Sequence, residues 1–253
     1  MDHIPQDKLL EAVGQHVGDG KVLEWLQRML KPGVMETGKG WSPTEKGTPQ
    51  GAVISPLLAN LYLNPLDHLR AGQGRERVRY ADDFVRLCAS QEEAPTALEA
   101  VRRWTEAAGL TLHPAKTRLV DASQRGGLDF LGDHFERDYR GPRQKSLDKF
   151  KDAIRRKTAQ LRSGSLSEIV TDIHRTLHGW FEYFKHSHGT TFAPLDSWIR
   201  QRLRTILRKR HKGKGLARGC DQQRWPNAYC AELGLISLTT ARAKASQPYA
   251  TGH

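Results

Sequence analysis

Two adjacent aspartates, Asp82 and Asp83, stand between short strand-like runs, Val78-Arg79-Tyr80 before them and Phe84-Val85-Arg86-Leu87-Cys88 after. Apolar runs split by a short polar turn read as a β-hairpin. Such a hairpin projects both carboxylates from the end of a sheet, where oxygen-loving Mg²⁺ ions can be held for phosphoryl transfer. Taken alone, an acidic pair is most often a solvated turn. The surrounding chain has to decide between the two.

Upstream, Leu9, Leu10, Val13, Val17, Val22, Leu23, Leu26, Met29 and Leu30 recur at helical spacing, interrupted by Gly18-Asp19-Gly20. This predicts two short helices ended by Pro32-Gly33. Residues 36–47 read as a loop or a turn-linked ribbon. A helix is expected over Ser55–Leu69, with Pro56 in its first turn and an end near Gly72-Gln73-Gly74. After the acidic hairpin, Ser90 and Glu93 have the spacing of a capping box, Leu98, Val101, Trp104 and Ala108 form a stripe, and Gly109 is a stop. Leu110, Leu112 and Leu119-Val120 suggest strands around a turn at His113-Pro114. A helix laid across a strand-rich layer makes the fold class α+β.

Past Gly141 the chain turns basic and helical. Phe150, Ile154, Thr158 and Leu161 line one expected helix. Ser167 opens a second, striped by Ile169-Val170, Ile173, Leu177, Trp180-Phe181 and Phe184. A third runs from Pro194 through Trp198, Ile199, Leu203, Ile206 and Leu207, and Gly213–Gly219 is a basic link to the Trp225–Leu238 segment. The tail from Ala241 is expected to fray. The helical spacing of Trp180, Phe181, Tyr183 and Phe184 favours core packing over base stacking.

The formal charge of +12 is concentrated: Arg137–Arg218 holds 21 Lys/Arg against 7 Asp/Glu, and Arg200–Arg218 holds nine basic residues and no acid. A contiguous cationic stretch of this kind is what a phosphate backbone selects. Arg200, Arg202, Arg204, Arg208, Lys209, Arg210 and Lys212 are therefore the nucleic-acid-contact candidates, and RNA-contact candidates by the resemblance described below. No run reaches the length of a membrane span. Cys88, Cys220 and Cys230 lack paired CxxC spacing, so a cytoplasmic address is expected, with Cys88 read as a buried thiol. His186 and His188 find no partner ligands at zinc-site spacing.

Further segments carry a resemblance. Gly47-Thr48-Pro49-Gln50-Gly51 running on to Leu63, the acidic hairpin, Gly109-Leu110-Thr111-Leu112-His113-Pro114-Ala115-Lys116-Thr117 and Phe130-Leu131-Gly132 resemble, in order, successive blocks of a reverse transcriptase palm. Leu177-His178-Gly179-Trp180-Phe181-Glu182-Tyr183-Phe184 and Trp225–Leu235 resemble the maturase region of the group II intron reverse transcriptase/maturase family.

That resemblance implies a partial palm over residues 1–140 and a helical thumb and maturase-specific domain over 141–253. It implies RNA-templated DNA synthesis by two-metal nucleotidyl transfer, with Mg²⁺ on Asp82 and Asp83. Gln50 and Gly51 would lie beside the template–primer and incoming nucleotide. Tyr80 would contact the primer end, or fill the strand's buried face. Lys116 would face the triphosphate, or be a solvated turn lysine. The implied partners are group II intron RNA, a DNA target or primer and deoxynucleoside triphosphates, with no membrane. Met1-Asp2-His3-Ile4-Pro5 resembles the tail of the family's first catalytic block, whose leading aspartate would precede Met1. The sequence thus reads as an N-terminally truncated member with impaired polymerase activity; the alternative is a non-enzymatic intron-RNA-binding remnant. Ala52, Asp133 and Arg86 also depart from the family pattern.

Overall fold

The computed structural model describes residues 4–31, 34–36, 40–42, 47, 53–69, 76–159 and 164–247. The chain divides into two compact units, Met1–Leu119 and Val120–His253.

In the first unit, α1 (Gln6–Gly14) and α2 (Gly20–Leu30) are separated at the glycine-flanked Asp19, whose carboxylate caps α2 by accepting from the Lys21 N–H. Strands β1 (Val34–Glu36) and β2 (Gly40–Ser42) form an antiparallel ribbon, as the ribbon reading of this region anticipates. Helix α3 (Ser55–Asp67) carries Pro56 in its first turn, where a missing N–H costs nothing. Leu9 and Val13 of α1, Leu26 and Leu30 of α2, and Leu58, Ala59 and Tyr62 of α3 are buried together with Ile4. Strands β3 (Arg77–Tyr80) and β4 (Asp83–Arg86) form the predicted hairpin, in register Tyr80↔Asp83 and Arg77↔Arg86.

Helix α4 (Glu93–Ala107) departs from expectation at its start. It is not capped by Ser90; the Ser90 hydroxyl bonds the Glu92 carboxylate instead. Its buried face is Ala97, Val101 and Thr105, because the Thr105 hydroxyl donates to the Val101 and Arg102 carbonyls and so enters the interior without an unmet bond. Gly109, at φ +69°, ends the helix: its N–H donates to Glu106 O and that of Leu110 to Thr105 O, the paired bonds of a Schellman cap. This cap meets the start of the chain. A Cβ on Gly109 would lie 2.9 Å from Pro5 Cγ. Lys8 Nζ donates to Ala107 O at 2.6 Å, and the Tyr62 hydroxyl donates to Ala108 O. The strands expected around His113-Pro114 do not form. Residues 110–120 join no ladder, and the Lys116 and Thr117 N–H groups turn back onto His113 O.

The second unit begins with an antiparallel meander, β5 (Leu128–Phe130), β6 (Asp133–Glu136) and β7 (Tyr139–Pro142). Asp133, at 5% exposure, is paired with Arg140 on the neighbouring strand. Helix α5 (Gln144–Lys157) follows. Helix α6 (Leu166–Phe184) opens at Ser165 rather than Ser167, with Glu168 completing a capping box that satisfies both end groups reciprocally. Helix α7 (Phe192–Arg210) starts two residues before the expected Pro194.

Phe150 and Ile154, the Ile169, Val170, Ile173, Leu177 and Phe181 part of the predicted α6 stripe, and Phe192, Leu195, Ile199, Leu203 and Ile206 make one core, with Trp180 packed against it. Trp180 stacks on Phe150 at 4.4 Å, as core packing requires; Tyr183 is the exception, exposed and donating to Leu131 O. Helices α8 (Gly219–Arg224), α9 (Asn227–Glu232) and α10 (Leu238–Ala245) complete the unit. The segment expected to fray from Ala241 is therefore helical to Ala245. Leu238 is fully buried, and Arg242 donates to Ser187 O. Buried Asp196 of α7 fixes this helix by accepting from Ser237 and Thr239 hydroxyls and the Leu238 and Thr239 N–H groups. Leu161 and Gly72-Gln73-Gly74 lie outside the described residues.

Candidate nucleic-acid and metal sites

The acidic hairpin turns on two residues. Ala81 takes the left-handed conformation, φ 55°, in the loop Ala81-Asp82, and Asp83 is the first residue of β4. A positive φ in a two-residue loop matches the twist of the flanking strands. Asp82 and Asp83 are both exposed at this tip. The loop is braced from below by Arg79. Its Nη1 donates to Ala81 O at 3.1 Å and to Asn60 Oδ1 of α3 at 3.0 Å, while its Nε spans both Asp67 oxygens at 2.8 and 3.0 Å. This pairing holds the Asp67 carboxyl below the usual carboxylate range and raises the Arg79 guanidinium. Arg79 is thereby spent on Asp67, and among the described residues no cation is paired with Asp82 or Asp83.

Exposed carboxylates on a hairpin tip are the donor type that suits Mg²⁺, which takes one or two protein carboxylates and fills its remaining positions with water and substrate phosphates. Among the described residues no group of three or more His, Cys, Asp or Glu could hold a metal. Tyr80 is 68% exposed, which removes the reading that it fills the strand's buried face. Lys116 is exposed on the turn after His113. Gln50 and Gly51 lie outside the described residues.

The basic candidates on and after α7 separate into two kinds. Arg204 is 5% exposed, and its Nε and Nη2 donate to Trp225 O at 2.9 Å and Asn227 Oδ1 at 2.7 Å. That placement departs from a surface contact: Arg204 clamps the start of α9. Arg208 pairs with buried Asp221 at 2.9 Å and donates to Lys214 O. The Arg218 N–H, then Arg208, hold the Asp221 carboxyl low against desolvation. Arg202 donates to Thr158 and lies 5.5 Å above the Trp198 ring, which Arg155 approaches at 5.9 Å. Arg200 stands 4.0 Å from Asp196, and Arg210 donates to Gly164 O at 2.6 Å. Lys209 is half-buried, and Lys212 is exposed. Residue count alone could not separate these roles. The alternation of Leu203, Ile206 and Leu207 with arginines was the available signal that one arginine would turn inward.

Cys88, read from sequence as buried, is half-buried; the buried thiol is Cys230, which desolvation pushes up. No helix among the described residues is long and apolar enough to cross a membrane.

Against known families, residues 1–135 match the reverse transcriptase (RNA-dependent DNA polymerase) family, and residues 147–225 match the group II intron, maturase-specific domain. Relatives include the group II intron-encoded protein LtrA of Lactococcus lactis subsp. cremoris, 38% identical over 26% of this chain and 11% of that protein. Protein YkfC of Escherichia coli is 35% identical over 52% of this chain and 43% of its own length. The putative COX1/OXI3 intron 2 protein of Saccharomyces cerevisiae is 32% identical over 26% of this chain and 8% of its own. The chain thus spans less than half the length of each of these relatives. With a reverse transcriptase palm-like domain followed in order by a maturase domain, the chain belongs to the group II intron reverse transcriptase/maturase family.

Proposed function

We propose that Asp82 and Asp83 are the metal-holding carboxylates of an RNA-templated DNA polymerase, and that the basic second half of the chain binds group II intron RNA for splicing and mobility. The observation that carries this reading is the pair's exposure on a braced hairpin tip within a reverse transcriptase match. When bound, Mg²⁺ supplies a lowered pKa for the primer 3′-hydroxyl and neutralises charge developing on the leaving pyrophosphate. The chain's own residues position. Asp82 and Asp83 hold the ion side, Tyr80 meets the primer end, Lys116 faces the triphosphate, and Gln50 with Gly51 line the template–primer. Residues 1–140 act as palm and 141–253 as thumb and maturase-specific domain. The DNA target or primer and deoxynucleoside triphosphates are the remaining partners. The free thiols of Cys88, Cys220 and Cys230 support a cytoplasmic site of action.

A second reading, intron-RNA binding without synthesis, draws on the lack of a third metal donor beside the pair among the described residues. One experiment separates the two. The purified chain is given a primed RNA template, Mg²⁺ and deoxynucleotides, alongside Asp82→Ala. Extension lost in Asp82→Ala supports the polymerase. Absent extension, together with salt-sensitive RNA binding that survives Asp82→Ala and falls when Arg210, Lys212 and Lys214 are neutralised, supports the binding protein.

A further inference from the structure

We propose that Arg155 and Arg202, held against the indole of Trp198, form a site for a single backbone phosphate of RNA. The inference rests on the reading that the basic second half binds RNA, and it adds a residue of α5 to the candidates on α7. Trp198 and Arg202 lie four positions apart on α7, so their side chains share one helix face. The Arg202 guanidinium lies 5.5 Å from the Trp198 ring centroid. That of Arg155, in the last turn of α5, lies 5.9 Å from the same centroid.

The platform and one of the two arginines are fixed in place. Trp198 is half-buried and packs against the core of its unit. Arg202 Nε donates to the Thr158 hydroxyl, and Nη2 donates to the Arg155 and Thr158 carbonyls at 3.4 Å each. Arg202 thus reaches the backbone of the very residue whose side chain shares its ring. Its Nη1 makes no hydrogen bond among the described residues. Arg155 Nη1 donates to Asp152 at 2.6 Å, yet both side chains are about half exposed, and a surface pair of this kind holds weakly.

Two like charges on one ring repel. The ring attracts each cation, but burial and then the Arg155 charge lower the Arg202 pKa. Among the described residues no carboxylate is paired with Arg202, and Asp152 is the one paired with Arg155. An anion between the guanidiniums relieves that repulsion. Stacking occupies the face of a guanidinium and leaves its edge N–H donors available, and those match phosphate oxygens. Exposed Arg156 next to Arg155 extends the positive field, which favours a polyanion over an isolated carboxylate.

The test measures binding of labelled oligouridylate to the full chain across a KCl series. Wild type is compared with Arg155→Gln, Arg202→Gln, the double variant, and Arg28→Gln as an equal charge change on exposed α2. One shared phosphate releases one set of counterions, so the double variant should reduce the slope of log affinity against log salt by about 0.7 in total. Arg155→Gln alone should weaken low-salt binding at least about fivefold, and Arg28→Gln should match wild type. Arg155 loses only a surface pair, so its variant should melt as wild type and decide the matter even if Arg202→Gln unfolds. Slope losses of about 0.7 in each single variant that add in the double would mean two separate contacts and overturn the shared site. Wild-type affinity and slope in Arg155→Gln would overturn it too. Wild type that shows no salt-dependent binding would overturn the underlying RNA reading as well.

Discussion

Arg79 on β3 grips Asp67 at the end of α3 through its Nε at 2.8 and 3.0 Å and through a further Nη2 contact, so the acidic hairpin is anchored to a helix by one half-buried ion pair. Asp67→Asn should destabilise the first unit by about 1–3 kcal/mol, since it leaves a largely covered guanidinium without its charge partner. The Asp67 pKa is lowered by folding. Its contribution is therefore present above the unfolded value of about 3.9 and is lost as pH falls through the folded one. Thermal melts of wild type should weaken more steeply below about pH 4 than those of Asp67→Asn.

Arg77 and Arg86 face each other directly across the same hairpin. Arg77 Nε and Nη1 are buried without hydrogen-bond partners among the described residues, and burial followed by the Arg86 charge lowers the Arg77 pKa. Its guanidinium lies 5.8 Å from the Phe84 ring, a contact that recovers part of this cost. Replacing Arg77 with valine, which suits a half-buried strand, should stabilise the unit by about 1 kcal/mol. A urea titration reads this as a raised midpoint at unchanged slope; a lowered midpoint would refute it.

His134 sits between carboxylates on the meander, 2.7 Å from Asp129 across the strand pair and 3.4 Å from Glu136. Asp129, then Glu136, raise its pKa against modest desolvation. The stabilisation is complete below the unfolded value of about 6.5 and disappears as pH rises through the higher folded value. Melting temperature of the second unit should fall over that interval in wild type and stay flatter in His134→Gln.

Arg204 and Lys212 come from one basic stretch, yet their substitution should read out differently. Arg204→Ala strands the Trp225 carbonyl and the Asn227 side chain, at a cost of about 2–3 kcal/mol. Lys212→Ala should change stability by less than about 0.5 kcal/mol. If denaturation midpoints show the two variants equally stable, the internal role of Arg204 is refuted.

What the sequence discloses here is mostly local. The acidic hairpin, the break at Gly18-Asp19-Gly20 and the Gly109 stop were legible because turn and cap chemistry acts over a few residues. The hydrophobic stripe of α6 was legible because its period is that of the helix. Strand-like Leu110 and Leu112 misled, since a strand needs a ladder partner that periodicity does not supply. The role of Arg204 and the anchoring of α10 by Asp196 depend on residues more than twenty positions away. Charge density, likewise, signalled a basic half without saying which cations face outward. The tip position of Asp82 and Asp83 on the hairpin could be read from their motif, whereas the Arg79–Asp67–Asn60 brace beneath them could not.

The hydrogen bond from Lys8 to Ala107 and the close approach of Pro5 to the turn at Gly109 tie α1 to a segment some hundred residues later. On the ribosome, α1 emerges long before that segment exists. At about 5–20 residues per second, the gap lasts roughly 5–20 s. Helix α3 arrives within it and can shield Leu9 and Val13, but the seal over Tyr62 closes only when Ala108 has been synthesised. The first unit therefore waits half-assembled during translation, and the speed of elongation through α4 governs how long its apolar face stays open to chaperones or aggregation.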